Sequence, residues 1–197
     1  MAAEATDPFA TLLAWFREAQ AQGVEAWDTV VLATVGGDHR PSCRAVIVRH
    51  LDERGLVFST DGRSRKARDL AANPWAAATS VWPALGRQVR VEGPAGPVPD
   101  PEADALFAAR PRDHQLAAWA STQSRTLHDD VDLDRQLAAV TGRFAGADVS
   151  RPPHWRSYRV VPRAVELWQG RADRRHERLL FERRDAFGPW SSRRLWP

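Results

Sequence analysis

The 197-residue chain holds one cysteine, Cys43, one methionine and one tyrosine. A single cysteine excludes an internal disulfide and any cysteine-cluster metal site. The histidines (39, 50, 114, 128, 154 and 176) are scattered rather than set at ligand spacing, so no metal is expected. No apolar run approaches the roughly 18–20 residues of a membrane span. The opening MAAEATDPF has no basic segment followed by an apolar one, so no secretory signal is read there. These absences predict a cytoplasmic protein that does not engage a membrane. Neither GxGxxG after a strand nor GxxxxGK[ST] occurs, so the two commonest glycine-rich phosphate loops are missing. Without a GxSxG elbow, a Ser-His-Asp hydrolase has no anchor.

Hydrophobic residues make up 43% and charged residues 27%, a composition that supports one globular domain. Lys plus Arg is 28 against 25 acids, a net charge of +3. Lys66 is the only lysine; every other cation of this set is arginine. The basic residues are interleaved with acids, and a basic patch rather than a basic total marks nucleic-acid binding, so none is predicted.

Residues 8–22 carry Phe9, Leu12, Leu13 and Phe16 at helical spacing, with Asp7-Pro8 as cap and first turn and Gly23 as the stop. Three β-rich runs follow, at 29–35, 42–51 and 56–60, separated by turn residues, which predicts an antiparallel meander. DGRSRKARDL reads as a loop entering a helix with Ser64 as N-cap. Strands are predicted at 76–81 and 88–93, with the proline-rich PAGPVPDPE closing that sheet. Helices are expected over 102–109, 113–120 and 133–144, a loop over 146–156, and strands over 157–168, 179–184 and 190–195. The whole is an α+β protein on a small antiparallel barrel or meander sheet.

Four constellations carry polar chemistry. Arg44 and Arg49 are five residues apart on one strand and so face opposite sides. Gly62 to Lys66 lead into a helix N-terminus, where free N–H groups and flanking cations suit an anion. Arg110 to Gln115, followed by Trp119, Ser121, Gln123 and Ser124, gathers cations, amides, hydroxyls and an aromatic fit for a polar planar ligand. Trp168-Gln-Gly170 precedes Arg174-Arg175-His176-Glu177-Arg178, where His176 offers a ring nitrogen to accept a proton or hydrogen bond. Each set also reads as ordinary solvated surface when taken alone.

Taken together, RAVIVRHLDERGLVFST (44–60), GRSRKA (62–67), NPWAAATSVWPALGRQVRVEG (73–93), RPRDHQLAAWASTQS (110–124), VELWQG (165–170), RRHERLLF (174–181) and RRLWP (193–197) closely resemble the pyridoxamine 5'-phosphate oxidase family. The order and spacing agree from about Asp7 to Pro197. The resemblance implies an α+β, FMN-binding split β-barrel of antiparallel strands with surrounding helices, homodimeric, as a single domain over 1–197. Within it lie the helix at 8–22, a barrel core at about 27–98, a helical region at about 100–145 and a dimerisation segment at about 155–197. It implies FMN contacts at Arg44, Ala45, Val46, Ile47, Val48, Arg49, Ser59, Thr60, Arg65, Lys66, Gln88, Gln123, Ser124, Trp168 and Arg178. Of these, Arg44, Arg65 and Lys66 are expected on the phosphate, and Gln88, Trp168 and Arg178 near the flavin ring.

The substrate phosphate is expected at Arg49, Leu106, Arg110 and His114, and the substrate ring at the catalytic pair Arg174 and His176. Three positions depart from the family pattern: Arg49 stands where Lys is common, Leu106 where Tyr is usual, and His114 where Ser is usual. The basic, Tyr-containing N-terminal extension of some members is expected to be absent. The implied activity is oxidation of pyridoxamine or pyridoxine 5'-phosphate to pyridoxal 5'-phosphate, with O2 as acceptor and H2O2 as product. Two alternatives stand beside it: a related FMN oxidase of phenazine-precursor type, and a non-catalytic flavin-binding protein.

Overall fold

The computed structural model describes residues 7–197. The chain opens with helix α1 (Pro8–Ala21), capped by the Asp7 carboxylate, which accepts from the Phe9 N–H at 2.8 Å. Its apolar stripe buries Phe9, Leu12, Phe16 and Ala19 against the sheet. The meander then runs as β1 (Thr29–Val35), β2 (Pro41–Asp52) and β3 (Gly55–Asp61). Helix α2 (Arg65–Ala72) leads to β4 (Trp75–Trp82), a single 3-10 turn (Pro83–Leu85) and β5 (Arg87–Pro97). Helices α3 (Asp100–Ala108), α4 (Arg112–Ala120) and α5 (Asp130–Arg143) come next. Strands β6 (Trp155–Val160), β7 (Ala164–Gln169), β8 (Glu177–Glu182) and β9 (Ser191–Leu195) complete the chain.

All described pairings are antiparallel. Six strands in the order β4-β1-β2-β3-β6-β5 close into a barrel through the β4–β5 pairing, and β7, β8 and β9 extend outward from β5. The expected split barrel is therefore present. The main core, from the barrel onto the outer sheet, holds Leu32, Phe58, Trp82, Val89, Val160, Val165 and Phe181, with Phe16 edge-on to Trp82 at 4.9 Å. A second apolar cluster of Phe107, Leu116, Phe144, Val149 and Trp155 joins α3, α4 and α5 to the barrel wall.

Two differences from the sequence reading bear on the topology. The strand expected to end at residue 93 runs on through the proline-rich stretch to Pro97, because Pro94 still serves as an acceptor, taking the Val161 N–H at 2.8 Å. The single strand expected over 157–168 is two strands, β6 in the barrel and β7 beyond it. Pro162, which has no N–H to give a ladder, lies in the break.

Glycine is required where strands meet most tightly. Gly55, at φ +128°, turns β2 into β3, and a Cβ there would stand 2.0 Å from the Val160 carbonyl oxygen. Gly142, inside α5, has nothing within 4 Å of its Cβ position. Gly55→Ala is therefore expected to lose about 2–4 kcal/mol, combining positive-φ strain with a backbone clash. Gly142→Ala is expected to gain about 0.5–1 kcal/mol of helix propensity. Urea unfolding of the two variants checks the pair, and opposite signs are the expected result.

Candidate active site

The first group of polar side chains gathers where β3 ends and α2 begins. Lys66 donates to the Thr60 hydroxyl at 3.0 Å and to Gln123 Oε1 at 3.3 Å, and Thr60 donates to that same Gln123 oxygen at 2.9 Å. The Arg65 backbone N–H donates to Ser124 Oγ at 3.1 Å, which brings the segment after α4 onto the N-terminus of α2. Ser124 sits at φ +67°, a backbone state that non-glycine residues seldom adopt and that concentrates at functional sites. Ser64 occupies the N-cap position but does not cap with its side chain. Instead its buried hydroxyl lies 3.3 Å from that of Thr60 and so belongs to this cluster.

Arg44 joins from β2. Its guanidinium donates to Thr34 Oγ1 at 2.7 Å, Ser42 Oγ at 2.8 Å and the Leu32 carbonyl at 3.3 Å. Asp69, buried on α2, accepts from Thr34 at 2.7 Å and lies 3.7 Å from Arg44 and 3.9 Å from Arg65. Three cations, Arg44, Arg65 and Lys66, thus converge with one buried carboxylate among them. Burial pushes the Lys66 ammonium below its ordinary value, and the charge of Arg44 lowers it further. A desolvated cation with a positive neighbour favours an incoming anion.

A cavity of about 360 Å³ opens beside this cluster, lined by Arg49, Ser59, Thr60, Arg110, Gln123 and Trp155, with Leu133 and Leu137 of α5 adding an apolar wall. Alternation along β2 turns Arg44 inward and Arg49 outward, as the five-residue spacing predicted. Arg110 lies over the rings of Phe107 at 5.7 Å and Trp155 at 5.5 Å. Its Nε and Nη1 are buried without a hydrogen-bond partner. Burial holds its pKa below the usual arginine range, with Arg49 adding to the shift. Such a guanidinium is matched by an anion with several acceptor oxygens. Of the four residues expected on the substrate phosphate, only Arg49 and Arg110 line this cavity. Leu106 packs into the second apolar cluster, and His114 stands exposed on the first turn of α4 beside Asp113.

The third group lies on the sheet beyond the barrel. Gln88 on β5 pairs with Trp168 on β7, and Trp168 pairs with Arg178 on β8. Directly opposed residues share a face, so these three form one row. His176 lies against Trp168, with ring centroids 4.8 Å apart. The Arg171 N–H donates to His176 Nδ1 at 3.1 Å, which leaves Nε2 as the donor of the neutral ring. Arg174 sits exposed at φ +60° in the turn between β7 and β8, and its side chain makes no ion pair among the described residues. Register extends the same face through Val81 to Val31 and Ala45, next to Ile47. On it Val31, Ile47 and Val81 are 49%, 40% and 55% exposed. Among the described residues, no hydrogen bond, ion pair or shared cavity joins this row to the Lys66 cluster. Nor does any metal-binding cluster of His, Cys, Asp and Glu occur among them.

Residues 16–143 match the family model described as pyridoxamine 5'-phosphate oxidase. Residues 155–197 match the model described as pyridoxine 5'-phosphate oxidase C-terminal dimerisation region. The chain belongs to the pyridoxamine 5'-phosphate oxidase family. It is 47% identical over 98% of its length to a pyridoxine/pyridoxamine 5'-phosphate oxidase of Burkholderia lata, covering 90% of that protein. It is also 47% identical to one of Rubrobacter xylanophilus, with 97% of this chain and 87% of the relative covered. Among solved structures, PhzG from Burkholderia lata in complex with tetrahydrophenazine-1-carboxylic acid superposes with a TM-score of 0.92. It is 31% identical, with 98% of this chain and 94% of PhzG covered.

Sequence reasoning missed the residues that hold this cluster and cavity from behind. Asp69 was detectable as the i+4 partner of Arg65. Trp155 and the α5 leucines had no local signal, because their role depends on where α5 folds back. Asp61, also on the cavity wall, is held by the Arg63 guanidinium at 2.7–3.2 Å. Burial alone would raise the Asp61 carboxyl, but the Arg63 hydrogen bonds outweigh it and hold the pKa below the usual carboxylate range. A lowered folded pKa contributes stability above the unfolded value of about 3.9 that is lost as pH falls through the folded value. Asp61→Asn is therefore expected to lose less stability than the unsubstituted protein between pH 5 and pH 2. Thermal unfolding across that range measures the difference.

Proposed function

We propose that the protein is an FMN-dependent oxidase that converts pyridoxine 5'-phosphate, or pyridoxamine 5'-phosphate with water taken up and ammonia released, to pyridoxal 5'-phosphate in the cytoplasm, reducing O2 to H2O2. Arg110 is the observation that carries this reading. Its buried, unpartnered Nε and Nη1 stand in one cavity with Arg49 and with Thr60 and Gln123 of the Lys66 cluster. A substrate phosphate is thereby assigned next to the cofactor's anchor. The identity of 47% to curated oxidases over 98% of the chain supports the same substrate class.

FMN fits the donor set. Lys66, Arg65 and Arg44 supply charge for a terminal phosphate, while Ser124 and Gln123 supply short polar contacts. Gln88, Trp168 and Arg178 supply the amide, flat aromatic surface and cation that a flavin ring takes, while the Ala45–Val48 segment lies on β2, separated from β5 by β1 and β4. When bound, FMN supplies the acceptor for a hydride from the C4' carbon of the substrate and passes the electrons to O2. The protein's share is to bind and orient. Arg110 and Arg49 grip the phosphate, and that remote binding energy positions the reacting carbon. Arg174 and His176 orient the pyridine ring, with His176 offering its Nε2 hydrogen. The active unit is a homodimer, since the ring row and the phosphate cluster lie apart within one chain and the exposed Val31–Ile47–Val81 face awaits a partner.

Affinity should distinguish FMN from riboflavin through Lys66. Its pKa is depressed in the free protein and recovers when a phosphate arrives, so the phosphate binds best to the protonated ammonium. FMN affinity is expected to stay level at neutral pH and to fall as pH rises through the depressed value, which lies below the ordinary 10.5. Riboflavin affinity should not follow it. Fluorescence titration of both flavins from pH 7 to 10 tests the assignment, and parallel curves would remove Lys66 from the phosphate site.

A second reading, an oxidase of phenazine-precursor type, is favoured by Leu106, which packs into the apolar cluster and offers phosphate no donor, and by the likeness to PhzG. Arg110→Ala separates the two. Loss of a charge-assisted hydrogen bond worth about 1.5–3 kcal/mol lowers kcat/KM by about 10- to 150-fold. That drop is expected for pyridoxamine 5'-phosphate, with FMN content unchanged. A protein that never turns over the phosphorylated vitamers, yet oxidises a reduced phenazine precursor, would establish the second reading.

A further inference from the structure

We propose that Glu166 is a positioning residue for the flavin-ring site, fixing the Arg178 guanidinium so that one of its nitrogens is presented to the ring. The inference rests on the FMN reading above. Glu166, on β7, is 5% exposed although it lies on the sheet face that carries Gln88, Trp168 and Arg178. Its two oxygens are divided between two arginines. Oε2 accepts from Arg90 Nη1 at 3.0 Å, and Oε1 accepts from Arg178 Nε at 2.8 Å. Arg178 Nη1 donates to the Trp196 carbonyl at 3.1 Å. Among the described residues, Nη2 is left as the nitrogen of this guanidinium without a partner. With two edges of the planar fork held, the third has a fixed direction.

Arg90 keeps the carboxylate in place. It pairs with Glu166 in the β5–β7 register and is itself held by Glu92. The Arg178 guanidinium has its pKa raised by the hydrogen bond and charge of Glu166, in keeping with a persistent pair. Stability alone is a weak reason for this arrangement. Ion pairs between a buried carboxylate and partly exposed arginines bring little net stability, and Leu180, facing Glu166 from β8, shows that the row accepts an apolar side chain. What the carboxylate adds is orientation of an arginine that has one free edge.

The test is a double-mutant cycle on the full chain, reading FMN dissociation constant and visible flavin circular dichroism, with melting temperature as the fold control. Glu166→Gln is expected to weaken FMN binding about tenfold, the worth of one charge-assisted hydrogen bond, and to alter the flavin dichroic band. In an Arg178→Ala background the same substitution should change FMN affinity no further, while still lowering the melting temperature through the broken Arg90 pair. Should Glu166→Gln fail to yield folded protein, Glu166→Asp keeps the charge, shortens its reach and takes its place in the cycle. FMN affinity and dichroism indifferent to position 166, or an equal loss of affinity in both backgrounds, overturns this inference while leaving the FMN reading standing. No FMN binding by the unsubstituted chain overturns both.

Discussion

A Cβ on residue 93 would stand 2.0 Å from the Val161 carbonyl oxygen and 3.0 Å from the Arg163 nitrogen. That close approach is where β5 changes partners. Before Gly93 the strand pairs with β4 on one side and β7 on the other; beyond it, Ala95 to Pro97 pair with β6. A single strand thus closes the barrel and begins the outer sheet. Trp168 and Arg178 have their positions because β7 and β8 grow from that strand, and Arg110 has its floor because Trp155 heads β6. Without a bare backbone at 93, the barrel and the outer sheet would compete for β5.

The cations assigned to ligands are held in two physical ways. Arg44 and Arg178 are each backed by a buried carboxylate, Asp69 and Glu166. The carboxylate fixes direction and offsets part of the charge, which suits contacts that must be accurate. Arg110 is backed by the faces of Phe107 and Trp155 instead. Aromatic faces stabilise a cation without cancelling it, so Arg110 presents nearly its whole charge to the cavity. An arginine held this way binds a phosphate dianion more strongly than one already sharing a carboxylate.

Legibility in the sequence followed the range of the interactions. Helix α1, the β1–β2–β3 meander and the turn at 62–64 leading into α2 were readable because caps, alternation and turn residues act within a few positions. Gln88 was named only through family resemblance; its alignment with Trp168 and Arg178 across three strands depends on register, which no local pattern states. The split of 157–168 into two strands was missed although Pro162 was visible, because a proline marks a break only when the flanking strands join different sheets. Ser64 does stand at the N-cap of α2, but its hydroxyl does not cap the helix, because a buried neighbour, Thr60, claims it. Leu106 and His114 were expected at the substrate phosphate by family resemblance alone. The turn of α3 into the Phe107–Phe144 cluster and the outward first turn of α4 decide where those side chains go.

One face of the molecule carries two properties that call for the same completion. Register makes Ile47, Val31, Val81, Gln88, Trp168 and Arg178 neighbours on a continuous outer surface, apolar at one side and carrying the Gln88–Trp168–Arg178 row at the other. Three large aliphatic side chains about half exposed on adjacent strands form a patch of the kind that marks an interaction site. A two-fold dimer buries the same patch on both copies, and what borders the patch on one copy is brought to what borders it on the other. The ring row borders it along β5, β7 and β8, and Arg49, on the outward side of β2, borders it at the other end. In the homodimer proposed above, this is the face that the partner would cover. On that proposal, the apolar burial that stabilises the assembly and the completion of the ligand site become one event.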